Sequence, residues 1–158
     1  MVNDRLKFMV DHNVGKLAKW LRMVGYDAKV FKGEDDSDMV KTAMAENRVI
    51  LTRDTQIVRR RVVTNGQLKV ILIENDQLEA QLKQIIIVLK LNRSDFRPFT
   101  ICLECNEPLI KQNKEEVKDR VPPFVFKTQA QYVECPICHR IYWRGTHWQA
   151  MVHKIEKL

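Results

Sequence analysis

At 158 residues with 45% hydrophobic side chains, the chain can bury one ordinary core or two small ones, which excludes a disordered tail or a fibrous repeat. Its longest apolar run, Ile85-Ile-Ile-Val-Leu89, is far short of a membrane span, so no membrane partner is expected. A formal charge of +7 suits a polyanionic partner, because clustered Lys and Arg gain affinity by releasing counterions from phosphates.

Apolar runs and helical patterns alternate through the first ninety residues or so. Residues 6–10 read as a buried strand, bounded by Asp11-His12-Asn13, whose short polar side chains favour a turn or helix cap, with Asn13 the expected N-cap and His12 a capping-turn residue. Val14, Leu17, Ala18, Leu21 and Val24 then recur at helical spacing, Lys16 and Lys19 fall on the other side, Trp20 reads as partly buried packing, and Gly25 closes the helix. Residues 26–31 supply a second strand before the acidic turn Glu34-Asp-Asp-Ser-Asp38. A second helix follows, presenting Met39, Val40, Ala43 and Met44 to the core. Residues 48–52 are a third strand ending at Arg53-Asp54, and a basic helix is expected through Arg59, Arg60 and Arg61. After the Asn65-Gly66 turn, residues 68–73 form a fourth strand, and Leu78, Leu82, Ile85, Ile86 and Leu89 mark a long amphipathic helix. Strands alternating with helices at this pitch predict an α/β fold, a parallel sheet with helical crossovers. Residues 93–98 read as a linker, dividing the chain into residues 1–96 and 97–158.

The second unit carries all four cysteines, as Cys102-Leu-Glu-Cys105 and Cys135-Pro-Ile-Cys138. A two-residue gap lets both thiolates of a pair turn onto one metal, so the two pairs predict a closed, structural Zn²⁺ site, with His139 and His147 not needed as ligands. Two disulfides are the competing reading. The start Met1-Val-Asn-Asp-Arg5 has no apolar signal-peptide core, so a reducing cytoplasm is expected and zinc is favoured. Tyr142, Trp143, Arg144, His147 and Trp148 mix aromatic and cationic groups as single-stranded RNA platforms do, although a small metal module also needs aromatics to build a core. If Tyr142 and Trp143 share a strand they face opposite ways, so one of them is structural. Met151, Val152 and Ile155 predict a terminal helix packing back on the protein.

The chemistry lies where the strands of the first unit stop. In parallel α/β sheets, sites form beyond the carboxyl ends of strands, and here Asp11 and Asp54 each follow a strand while Asp36 opens the helix after another. Each also has a local role available: Asp11 as a cap, Asp36 or Asp38 as an N-cap, Asp54 as a turn residue, with Glu34 and Asp35 as solvated turn charges. Recurrence at successive strand ends favours a site. Three carboxylates on one edge would repel unless a hard cation, Mg²⁺ or Mn²⁺, sat between them. Such an ion activates water and steadies charge on a scissile phosphate.

The stretches Val10-Asp-His-Asn-Val-Gly-Lys-Leu-Ala-Lys-Trp-Leu-Arg-Met-Val-Gly-Tyr-Asp27, Arg48-Val-Ile-Leu-Thr-Arg-Asp54, Cys102-Leu-Glu-Cys-Asn106 and Cys135-Pro-Ile-Cys-His-Arg-Ile-Tyr-Trp-Arg-Gly-Thr-His-Trp148 together resemble the Mut7-C family. The resemblance covers nearly the whole chain. It implies a PIN-like ribonuclease domain followed by a zinc ribbon, and so a metal-dependent, RNA-cleaving enzyme. The family's acidic positions carry over to Asp11 and Asp54, with Asp36 as the middle acid and Asp38 as its alternate; Thr52 stands where PIN proteins often put a hydroxyl beside the final acid. Gln56 departs from the pattern, because many PIN nucleases carry a further acid there. Lys16, Lys19, Arg22, Arg53, Arg59, Arg60 and Arg61 are the expected RNA contacts on the nuclease unit, and Trp143 and Arg144 on the ribbon. Two readings stand: an endoribonuclease whose ribbon helps position RNA, structured RNA such as tRNA or rRNA included, or an RNA-binding or ribosome-associated module that cleaves poorly.

Overall fold

A computed structural model describes residues 5–158. The first unit is a four-stranded parallel sheet wrapped by helices. Strand β1 (Lys7–Val10) leads through a 3₁₀ turn (His12–Val14) into helix α1 (Lys16–Met23), then β2 (Asp27–Val30), α2 (Asp36–Glu46) and β3 (Val49–Thr52). Two short helices, α3 (Thr55–Val58) and α4 (Arg61–Thr64), precede β4 (Val70–Leu72) and the long α5 (Leu78–Leu89). The sheet order is β2-β1-β3-β4, every pair parallel, with Phe8 opposite both Ala28 and Val49.

A parallel sheet covered on both faces needs apolar residues at every position, and β1 and β3 are buried almost throughout. Alternation then divides them between two cores. Phe8, Val10, Val49 and Leu51 face Leu17, Leu21, Leu82 and Ile85 of α1 and α5, while Met9 and Ile50 face Met39, Val40, Ala43 and Ile57 on the other side. Two expectations need correcting here. The basic helix is broken, because Arg60 is extended between α3 and α4. Met44 lies on the solvent side of α2 and is 41% exposed.

The second unit is a three-stranded antiparallel sheet in the order β5-β6-β7, where β5 is Ile110–Gln112, β6 Tyr132–Glu134 and β7 Ile141–Tyr142, with the short helix α6 (Pro123–Thr128) between β5 and β6. Val117, Val121 and Tyr132 form its small private core. Helix α7 (Thr146–Glu156) then returns to the α/β unit, where Trp148 and Ile155 are buried in the same cluster as Leu17, Leu21, Leu82 and Ile85. The two sheets are thus separate in topology but share packing.

A polar latch completes the join. Arg22, 9% exposed, donates from Nε to the Ala28 carbonyl (2.9 Å) and from Nη1 to the Leu103 carbonyl (2.7 Å). Asn106 accepts from the Ala28 amide (2.9 Å) and donates to Asp27 (2.6 Å), which also pairs with Arg48 (2.7 Å). The first cysteine turn is therefore tied to the outer edge of the parallel sheet.

Candidate functional site

The strand order reverses between β1 and β3, which makes their carboxyl ends the switch point where an open parallel sheet leaves a crevice. Asp11 leaves β1 there and is only 4% exposed; its carboxylate accepts from the His12 amide (2.8 Å) and from the Thr52 hydroxyl (2.7 Å). Thr52 ends β3 fully buried, and its hydroxyl in turn accepts from the Asp54 amide (3.0 Å). One hydroxyl thus couples the two strand-end acids. Asp54 also caps α3 through the Gln56 amide (2.8 Å), so its local and site roles coexist.

Asp36 is the first residue of α2, but the cap of that helix is Asp35, which accepts from the Ser37 amide (2.8 Å). This corrects the expectation that Asp36 or Asp38 would cap, and that Asp35 was merely solvated. Asp36 makes no capping bond, and its carboxyl is coupled by charge to the other two acids. Burial first, then the charges of Asp54 and Asp11 and a side-chain hydrogen bond with Asp54, raise its carboxyl above the usual range; Arg60 opposes the shift. Asp38 is exposed and takes no part in that cluster. Among the described residues, the four cysteines form the one group of potential ligands whose donor atoms all lie within 4.8 Å of one another. The carboxylates converge electrostatically without closing to that separation.

The cysteine turns repeat one another bond for bond. Asn106 N donates to the Cys102 carbonyl (3.0 Å) and His139 N to that of Cys135 (2.9 Å), while the Cys102 and Cys135 amides donate to Glu107 O (2.8 Å) and Arg140 O (3.0 Å). Asn106 (φ 61°) and His139 (φ 63°) take the left-handed conformation that each turn requires. Backbone amides point at sulfur in both turns, from Cys105 to Cys102 (3.4 Å) and from Cys138 to Cys135 (3.5 Å). Burial pushes the Cys102 thiol up, yet the Tyr142 hydroxyl and backbone amides overcome it and bring it down to about 7; Cys105, hydrogen-bonded to Cys138 and crowded by its neighbours, is pushed up to about 12. Four sulfurs this close cannot all ionise alone, and a divalent cation removes the conflict. All four are free thiols, and the donor set and its spacing fit tetrahedral zinc with no open position.

The family model of the Mut7-C RNAse domain matches residues 6–155. This chain belongs to the Mut7-C RNAse domain family. No curated protein and no solved structure matches it.

Within this Mut7-C chain the basic residues separate into distinct roles. Lys16 and Lys19 are exposed on α1, and Arg53 is exposed at the acid edge, its amide donating to Asn13 Oδ1 (3.3 Å), so Asn13 ties β1's turn to β3's rather than capping α1. Arg59 and Arg61 are exposed; Arg60 is half-buried and donates to the Ser37 hydroxyl (3.1 Å) beside Asp36. Arg22 must be removed from the RNA contacts. Its guanidinium is buried in the latch, where only backbone carbonyls reach it. Tyr142 is the structural member of its pair, donating toward Cys102 Sγ (3.3 Å); Trp143 is half-buried against the small ribbon core. Arg144 is exposed and lies over Phe99 (5.2 Å), which stacks on Trp148 (4.0 Å).

Sequence reasoning missed the latch residues Asp27, Arg48 and Asn106. No spacing marks them, since each contributes a single polar group across 21 or 79 positions of chain.

Proposed function

We propose that this chain is a metal-dependent endoribonuclease that hydrolyses RNA phosphodiester bonds at the carboxyl edge of its parallel sheet. The observation that carries this reading is the convergence of Asp11, Asp36 and Asp54 at the β1/β3 switch point, where Asp36 feels the negative charge of the other two. These three residues would hold Mg²⁺ or Mn²⁺. Such an ion, when bound, supplies an activated water and offsets charge developing on the phosphate. Thr52 orients Asp11 and steadies the Asp54 backbone, while Arg53, Arg60 and Lys16 supply positive charge to an incoming phosphodiester. Membership of a ribonuclease family supports RNA as the substrate, and the cysteine module supports a structural zinc that fixes the ribbon. A PIN-type fold, structured RNA such as tRNA or rRNA as substrate, and a cytoplasmic setting belong to the same proposal.

One observation favours a second reading. Gln56 is exposed beside Asp54, where a fourth acid would strengthen the cluster, and its amide is committed to the cap. A chain with three acids can bind RNA, or a ribosome, yet cut poorly. RNA cleavage with Mn²⁺ decides between them: Asp11→Asn and Asp54→Asn should each lower cleavage at least about 100-fold while RNA binding persists. Equal RNA binding by native and variant chains with no cleavage by any of them selects the second reading.

A further inference from the structure

The ribbon meets α1 along a groove of about 470 Å³ that lies apart from the acid cluster and borders the outer side of the cysteine turns. Lys19 forms one wall, and Arg120, His139, Arg140 and His147 line the rest, against a single lining acid, Glu104. Arg120 (2.7 Å) and His139 (3.0 Å) are both engaged with Glu134, and Lys19 with Glu104 at a loose 3.8 Å. Arg140 is exposed and, among the described residues, has no carboxylate within 4.0 Å. Trp143 and Trp148 complete the lining. A groove wall carrying cations and exposed imidazoles is complementary to an acceptor-rich anion.

Helix α1 links the groove to the acid edge. Helix α1 starts directly after the Asp11 turn, and Lys16 and Lys19 stand one helical turn apart on its exposed side, with Lys19 entering the groove. We propose that this groove is a second RNA-binding site, which holds the sugar-phosphate backbone of a single strand running along α1 from the acid edge to the ribbon. The proposal rests on the nuclease reading for its direction but not for its chemistry. It gives the ribbon a defined role: to bind RNA several nucleotides from the scissile bond, so that long strands are favoured over short ones.

The test uses the full, zinc-loaded chain with the Arg140→Ala/His147→Ala pair, an Arg140→Lys variant and a Lys69→Ala control on the far sheet edge. In an Asp11→Asn background, which leaves RNA uncut, the paired variant should bind single-stranded RNA about tenfold more weakly, with the slope of log affinity against log salt smaller by about one. Arg140→Lys and Lys69→Ala should bind like the parent. With Asp11 intact, cleavage of long RNA should fall by a similar factor while that of a dinucleotide is unchanged. Unchanged affinity and salt slope in the folded paired variant, or no RNA binding by the native chain, overturns the groove. Weakened binding by the paired variant of a native chain that cuts nothing keeps the groove and removes the nuclease reading instead.

Discussion

At the scale of single residues, Asp36 shows how the proposed site departs from what stability alone selects. Asp35 already caps α2, so Asp36 contributes no capping bond and sits among like charges that raise its carboxyl. An acid whose folded pKa is raised carries a stability penalty. That penalty is fully present above the raised value, shrinks as pH falls through it, and is gone below the ordinary aspartate value of 3.8. Asp36→Asn, measured without divalent metal, should therefore melt above the native chain at neutral pH and match it in acid, while Mn²⁺-dependent cleavage is lost. A lower melting temperature at neutral pH would show that Asp36 is held by structure rather than strained by charge. Hydrophobic runs put Asp11 and Asp54 at strand ends, and the family resemblance picked Asp36 as the middle acid; what the sequence misassigned was the cap, because only the backbone geometry gives the Ser37 amide to Asp35.

Elements were legible where periodicity is strong and local, and less so where a single backbone torsion decides. The central strands β1 and β3 follow from continuous apolar runs that a two-sided parallel sheet demands, and α1 from its stripe of Val14, Leu17, Ala18 and Leu21. The break between α3 and α4 falls at Arg60, whose extended backbone accompanies its side-chain bond to Ser37, among β-branched neighbours (Val58, Val62, Val63) that weaken helix on either side. Gly25 is a case where the turn signal and the tertiary role coincide. It closes α1 at φ 93°, and a Cβ there would stand 2.5 Å from the Arg97 carbonyl oxygen, in the linker whose Arg97 amide bonds Val24 O (2.8 Å). The conformational penalty and the clash add, since neither backbone can yield without breaking that bond. Gly25→Ala should cost roughly 2–4 kcal/mol by denaturant titration, whereas Gly66→Ala, also at positive φ (84°) but with open space around it, should cost only about 1 kcal/mol. Equal costs at the two sites would show that the linker moves aside freely.

For the whole molecule, the cysteine module is built into the α/β unit rather than tethered to it. The cysteine spacing announces a metal site without saying what it leans on, because the Arg22, Asp27, Arg48 and Asn106 latch joins residues distant in sequence through single polar groups. Metal analysis should find about one tightly held zinc per chain. Removing it frees the Cys102–Cys105 turn, which presents the Leu103 carbonyl to Arg22 and the Asn106 side chain to the Ala28 amide on edge strand β2. Arg22 would then be a buried cation short of an acceptor, at a cost of about 1–3 kcal/mol or more, and Trp148 and Ile155 would lose the ribbon that anchors the start of their helix. Chelation should accordingly lower the melting temperature of the entire chain in one cooperative step, with loss of amide protection in β2 as well as in β5, β6 and β7. An independent ribbon behaves differently: zinc loss unfolds it alone, and hydrogen exchange in β2 stays at its native rate. Arg22→Ala separates the two cases further, because it cuts the latch with zinc in place and should reproduce much of the shift while the zinc content remains about one.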